Sequence, residues 1–270
     1  MKRFFLIVTL LLFTAVAGVV LVSFSNSLVP ILMYHSVGAD SRLQTPVVSP
    51  AVFAKQIEFL QKNGFFVISL EEYVRSAGKA TQLPYKCVVI TFDDGYEDNY
   101  ANAYPLLKAA GFPATVFIPS DYLGTPGYIS SDQAKEMCAN SIMIGSHSVS
   151  HAFLPSLVAD AYFREVRESK DLLEKRLGSP VNLLCYPLGG YSAETAEAAR
   201  KAGYIGACTT NRSASVLNTD LFALNRIKLT ERDQYDLLLW AKTSRIYNLF
   251  RGIRNFYRNR EGRACKQYCM

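Results

Sequence analysis

Residues 86–95 read Lys-Cys-Val-Val-Ile-Thr-Phe-Asp-Asp-Gly, and the reading of this stretch decides the fold. Cys87 to Phe92 is a short β-branched and aromatic run of the kind that makes a fully buried strand. It stops at two carboxylates, Asp93 and Asp94, and then at Gly95, which allows turn conformations that other residues resist. In α/β sheets the reactive groups gather at the carboxyl ends of the strands. An acid pair in that position can supply a metal ligand and a base side by side. The competing reading is a helix N-cap followed by a solvated turn.

Outward from this strand, short apolar runs alternate with helical patterns. The runs at 29–34, 65–69, 87–92, 114–118, 142–145, 181–186, 204–209 and 222–229 predict strands. Helices are predicted near 51–62, 70–77, 97–110, 131–140, 159–177, 192–202 and 231–242. Ser49-Pro50 offers an N-cap with proline at the first helical position, and Ser69 with Glu72 has the spacing of a capping box. Such alternation predicts a mainly parallel sheet with helices outside it. Seven or eight strands favour a distorted (β/α) barrel over residues 29–242. The Gly- and Pro-containing stretch 119–130 follows a strand and is expected to wall the site.

The two ends differ from this domain. Lys2 and Arg3 precede an uncharged apolar run, Phe4 to Phe24, long enough to span a bilayer. A cleavable signal would end near Ala15-Val16-Ala17, but the run continues through Val22, so residues 1–28 read better as an uncleaved anchor. Either reading exports the remainder: a single-pass membrane protein with its domain outside the cytoplasm, or a secreted or periplasmic one after cleavage. Residues 241–270 hold eight Lys or Arg and one Glu, a net +7, against +6 for the whole chain. Ile246, Leu249, Phe250, Ile253 and Tyr257 recur there at helical spacing among arginines, so the tail 243–270 reads as a basic amphipathic helix for an anionic membrane surface or for packing on the barrel. Nucleic acid is not an expected partner of an exported chain. Of six cysteines, Cys87, Cys185 and Cys208 read as small buried hydrophobes. Cys138, Cys265 and Cys269 are candidates for pairing in an oxidising compartment.

All three histidines fall at or just past a strand's end: His35 after 29–34, and His147 and His151 after 142–145. The spacing of four predicts two imidazoles on one side of a helical turn. Two His with one Asp is a common ligand set for catalytic zinc. Thr91-Phe92-Asp93-Asp94-Gly95, Ser146-His147-Ser148-Val149-Ser150-His151 and Tyr186-Pro187-Leu188-Gly189 together resemble three motifs of the polysaccharide deacetylases, carbohydrate esterase family 4. Leu32-Met33-Tyr34-His35-Ser36 is similar to the branch containing the poly-N-acetylglucosamine deacetylases.

The resemblance implies a metal-dependent hydrolase that removes N-acetyl groups from N-acetylhexosamine residues of an exported glycan. It implies that Asp94, His147 and His151 hold a divalent ion, usually Zn2+, that Asp93 is the general base, and that His35 is the general acid. The backbone at Leu188 would complete an oxyanion site. Tyr96, Tyr186 and Tyr191 are candidates to line a sugar site, and structural packing is the alternative reading of each. The chain departs from the family where an arginine usually orients the base, because Cys185 stands there. Arg226, near the last strand, is a candidate to supply that charge, and a structural salt bridge is its alternative reading. Two other functions stay open. One is deacetylation or deformylation of a lipid-linked amino sugar, and the other is non-catalytic glycan binding on the same barrel.

Overall fold

The computed structural model describes residues 28–39, 45–77, 79, 83–210, 218–245 and 247. The apolar run Phe4–Phe24, Cys265, Cys269 and the tail beyond Tyr247 lie outside the described residues. Among the described residues, no helix is long and apolar enough to cross a membrane. Strands β1 (Ile31–Tyr34), β2 (Ser36–Val37), β3 (Val47–Val48), β4 (Phe66–Ile68), β5 (Cys87–Phe92), β6 (Ala114–Ile118), β7 (Ile142–Ser146), β8 (Leu183–Cys185), β9 (Gly206–Thr209), β10 (Leu224–Asn225) and β11 (Ile227–Lys228) follow in chain order. The helices are α1 (Pro50–Lys62), α2 (Leu70–Ser76), α3 (Tyr104–Ala110), α4 (Ser131–Cys138), α5 (Ala159–Leu177), α6 (Ala193–Lys201) and α7 (Asp236–Thr243).

The sheet is parallel throughout, in the order β10-β9-β8-β7-β6-β5-β1-β11, with β4 paired to the first half of β5. Its two ends almost meet. Leu224 of β10 pairs with Cys208 of β9, while Ile227 of β11 pairs with Leu32 of β1. Only Arg226 separates the two segments, so the barrel closes through one interrupted strand, 224–228. The small pair β2 and β3 lies apart from the barrel.

Side chains alternate along a strand, and the buried residues divide accordingly. Ile31, Cys87, Val89, Phe117, Leu183, Cys185, Cys208 and Leu224 belong to the interior cluster. Leu32, Tyr34, Val88, Ile90, Phe92, Val116 and Leu184 pack with helix residues such as Phe53, Leu107 and Leu173. β5 is buried along its whole length because it is covered on both faces. A Cβ at Gly145 would run into the Phe117 ring, so glycine there lets that phenylalanine fill the barrel.

Local signals act as their chemistry dictates. Ser49 caps α1, accepting from Val52 N–H, with Pro50 opening the helix. Ser69 accepts from Glu72 N–H at α2, whereas complete reciprocal boxes stand at Ser130 with Gln133 and at Ser192 with Thr195. The helix expected over 97–110 begins instead as a π turn, Asn99–Ala103, before α3. The last helix starts at 236 rather than 231, because Asp233 folds back to accept Thr230 N–H and its hydroxyl. Among the described residues, Cys138 forms no disulfide.

Candidate active site

The inward row of each strand continues one step past its end, and those steps converge. Cys87, Val89 and Thr91 lead to Asp93; Ile31 and Met33 lead to His35. Met143 and Gly145 lead to His147, and Leu224 leads to Arg226. Because the strands are parallel, all four end at one mouth of the barrel.

Arg226 grips Asp93 with both arms of its guanidinium: Nη1 donates to Oδ1 and Nη2 to Oδ2, each at 2.6 Å. Nη1 also reaches the Thr91 hydroxyl at 3.2 Å, and the guanidinium carbon stands 5.7 Å above the Phe117 ring. Cys185 Sγ lies 3.0 Å from Nη2, so a small residue at 185 leaves room for an arginine that arrives from across the barrel. Burial would raise the Asp93 pKa, but the Arg226 charge and hydrogen bonds outweigh it and hold the carboxyl below its ordinary value.

Asp94 turns the other way. It has φ 73° and Gly95 has φ 72°, a corner in the left-handed region. A Cβ at Gly95 would lie 2.7 Å from Ile118 Cγ1, so both conformation and space require glycine there. Asp94 Oδ1 stands 3.5 Å from His147 Nε2 and 3.3 Å from His151 Nε2. Burial again pushes the carboxyl up, and the hydrogen bonds from His147 and His151 more than offset it, leaving Asp94 well below the usual carboxylate range. His147 Nδ1 makes a 2.7 Å hydrogen bond with the Cys185 carbonyl oxygen. The ring nitrogen facing a carbonyl must carry the proton, so Nε2, on the Asp94 side, is the nitrogen a neutral imidazole would offer as a ligand.

The helical turn expected at 147–151 does not form. Ser148 has φ 66° and His151 φ 62°, values a right-handed helix excludes. The segment is instead a loop folded around Glu165 of α5, whose carboxylate accepts from Val149 N–H, Ser150 N–H and the Ser150 hydroxyl at 2.7–3.0 Å. His151 N–H donates to Ser148 Oγ. A loop held in this way brings the two imidazoles to 4.9 Å between centroids.

One ligand atom each from Asp94, His147 and His151 lie within 4.8 Å of one another. Asp93, His147 and Cys185 form a second such group. The first group fits a divalent ion and the second does not. Arg226 already occupies both Asp93 oxygens, and burial raises the Cys185 thiol well above its ordinary pKa, keeping it protonated. His35 Nε2 is 3.9 Å from Asp93 Oδ2. Burial lowers its pKa, opposed by the Asp93 and Asp94 charges.

Of the other expected residues, Tyr186 is not part of a sugar-binding wall. It is fully buried, donates its hydroxyl to the Phe222 carbonyl and stacks on Tyr191, because its side chain falls on the helix-facing row beside Cys185. Leu188 has φ 55° and an exposed side chain. The loop at 119–130 does flank the mouth: Ile129 N–H donates to the Gly95 carbonyl, and Glu97 N–H to the Gly127 carbonyl. Two of its residues escaped sequence reasoning. Tyr128 stacks on Tyr96 at 5.4 Å and packs on Tyr122, which lies 6.4 Å from His151. Two tyrosines in a Gly- and Pro-containing loop after a strand were the available signal.

Comparison with known proteins places these features in a family context. A family model described as polysaccharide deacetylase matches residues 80–207. A Bacillus subtilis protein, YxkH, assigned to the polysaccharide deacetylases, is 34% identical over 201 residues, covering 74% of this chain and 71% of that one. A poly-beta-1,6-N-acetyl-D-glucosamine N-deacetylase of Staphylococcus epidermidis is 27% identical over 207 residues, 71% of each. The structure of the Streptococcus pyogenes deacetylase PplD in complex with acetate superposes with a TM-score of 0.72 at 31% identity, covering 78% of this chain and 96% of that one.

Proposed function

Since this chain belongs to the polysaccharide deacetylase family, a family of amide hydrolases, we propose that it removes N-acetyl groups from N-acetylhexosamine residues of a cell-surface or exported polysaccharide. The observation that carries the reading is the meeting of Asp93, Asp94, His35, His147 and Arg226 at one barrel mouth, with His151 brought in by its loop. Asp94, His147 and His151 would hold a divalent ion, and we propose zinc, which suits two imidazoles and one carboxylate. Such an ion, when bound, acidifies water and polarises a carbonyl. Asp93 takes the proton from the attacking water. Arg226 keeps that carboxylate ionised and fixes its plane, so that its remaining lone pairs face the mouth. His35 Nε2 returns a proton to the nitrogen of the departing amine, which is too basic to leave without one. The backbone at Leu188 is proposed to bind the developing oxyanion. On the purified full chain, acetate release from a panel of N-acetylated glycans is expected to stop with chelator and return with zinc or cobalt. Release indifferent to chelator, or absent for every glycan, would overturn the reading.

We further propose that the enzyme sits on the outer face of a membrane with this mouth turned away. Phe66, Tyr85, Leu237 and Trp240 are exposed together with Lys86 at the opposite end of the barrel, where β4 and β5 begin. Leu28, which would follow the proposed anchor, leads directly into the start of β1. β5 is six residues long, so about 20 Å separates this end from the carboxylates. That orientation suits a polymer outside the membrane better than a lipid-linked sugar. Trp240 is the chain's single tryptophan, so its fluorescence in anionic vesicles is expected to be quenched by brominated lipid. Unquenched emission from vesicle-held protein would remove this orientation.

A further inference from the structure

His35 poses a positioning problem. Its Nε2 must address the substrate from beside Asp93, yet its Nδ1 is buried and meets no hydrogen-bond partner among the described residues. A ring without a second hydrogen bond is aimed by its main chain. Besides the pairing of Ser36–Val37 with β3, that main chain is held by side chains of the segment just beyond the Asp93-Asp94 corner. Asn99 Nδ2 donates to the His35 carbonyl at 2.7 Å and to Asp98 Oδ1 at 3.0 Å. Asp98 Oδ1 accepts Val37 N–H at 3.1 Å, and Oδ2 accepts the Ser36 hydroxyl at 2.5 Å. Asn102 Nδ2 donates to the Val37 carbonyl at 2.8 Å. Asn99 and Ser36 are buried, and a Cβ at Gly38 would lie 2.7 Å from Asp98 Oδ2, so the two segments are in close apposition. The π turn at Asn99–Ala103 lies within this contact.

We propose that Asp98, Asn99 and Asn102 are positioning residues for the proton donor, holding backbone 35–37 so that His35 keeps a fixed distance from Asp93. Three side chains on one turn then tie the acid's strand to the base's strand. The proposal rests on the deacetylase reading and on His35 as its acid.

The test uses leaving groups. An amine needs the proton from His35, whereas the phenolate of an aryl acetate ester leaves unaided near neutrality. Asn99→Leu keeps the side-chain volume and removes the donor. Its kcat on an N-acetylated glycan is expected to fall about 100-fold, the scale of a 1 Å misplacement. KM, metal content and hydrolysis of 4-nitrophenyl acetate should stay within about threefold, a factor that corresponds to less than 1 kcal/mol. In a His35→Gln background, Asn99→Leu should cost nothing further on the glycan, because both act through one proton. Amide and ester rates falling together, or full additivity with His35→Gln, would overturn the proposal. Ser36→Ala, which removes only the hydroxyl contact to Asp98, gives the same selective loss in smaller measure and serves if Asn99→Leu does not fold. A wild-type chain that hydrolyses neither substrate would instead sink the deacetylase reading, and this proposal with it.

Discussion

Arg226→Met is expected to be the most damaging single change in the barrel, costing about 3–5 kcal/mol of stability, the usual penalty for stranding one member of a buried ion pair. Both Asp93 oxygens lose a 2.6 Å partner, and nothing else on the inward face can replace a bidentate guanidinium. The sign of the pH dependence should reverse. In the wild type the Asp93 pKa is lowered, so its contribution is present above about pH 4, the unfolded value, and is lost as pH falls through the folded one. Without Arg226, burial is the largest remaining influence and the folded pKa rises. Asp93 then favours the fold only when protonated, so its contribution is present below about pH 4 and lost as pH climbs. Chemical denaturation at pH 8 and pH 5 should show the gap between variant and wild type narrowing at pH 5. A gap that stays constant, or a total loss under about 1 kcal/mol, would mean that the pair is not the buried fork described above.

The second large effect separates the two adjacent aspartates. Asp93→Asn is expected to lower turnover by about 10²–10⁴-fold while the protein keeps its metal, because an amide cannot take a proton from water. It also removes the charge that the Arg226 fork grips, so some stability is lost and assays belong at low temperature. Asp94→Asn is expected to lose the metal itself, since a neutral amide replaces the anionic ligand that both imidazoles face. Metal content measured on each variant beside acetate release distinguishes the roles. Metal lost from Asp93→Asn and retained by Asp94→Asn would exchange the assignments, and full activity in both would remove them.

The outward chemistry of the chain was legible because it is local. Cys87–Phe92 and Ala114–Ile118 coincide with their expected ranges, since short β-branched runs between turn residues have no competing structure to adopt. The Asp-Asp corner and the three histidines announced themselves as polar groups at apolar strand ends. Where an expectation about the site failed, the cause was non-local. Spacing alone suggested a helical turn for His147 and His151, but Glu165, on a helix that follows, holds the loop in another shape. Tyr186 looked like a sugar contact until the row on which it falls was known.

The amino-acid order by itself determined most of the barrel strands, most of the helices and which residue types stand at the strand ends, because each depends largely on neighbours a few positions away. It did not determine which of those residues meet. Arg226 and Asp93 are 133 positions apart, and Asn99 and His35 are 64. Their contacts exist because a parallel sheet curls until an interrupted strand, 224–228, joins β9 to β1 and sends every inward row to the same mouth. Register and closure are properties of the whole sheet, and a shift of one residue in any strand would turn its last side chain from the mouth to the helices.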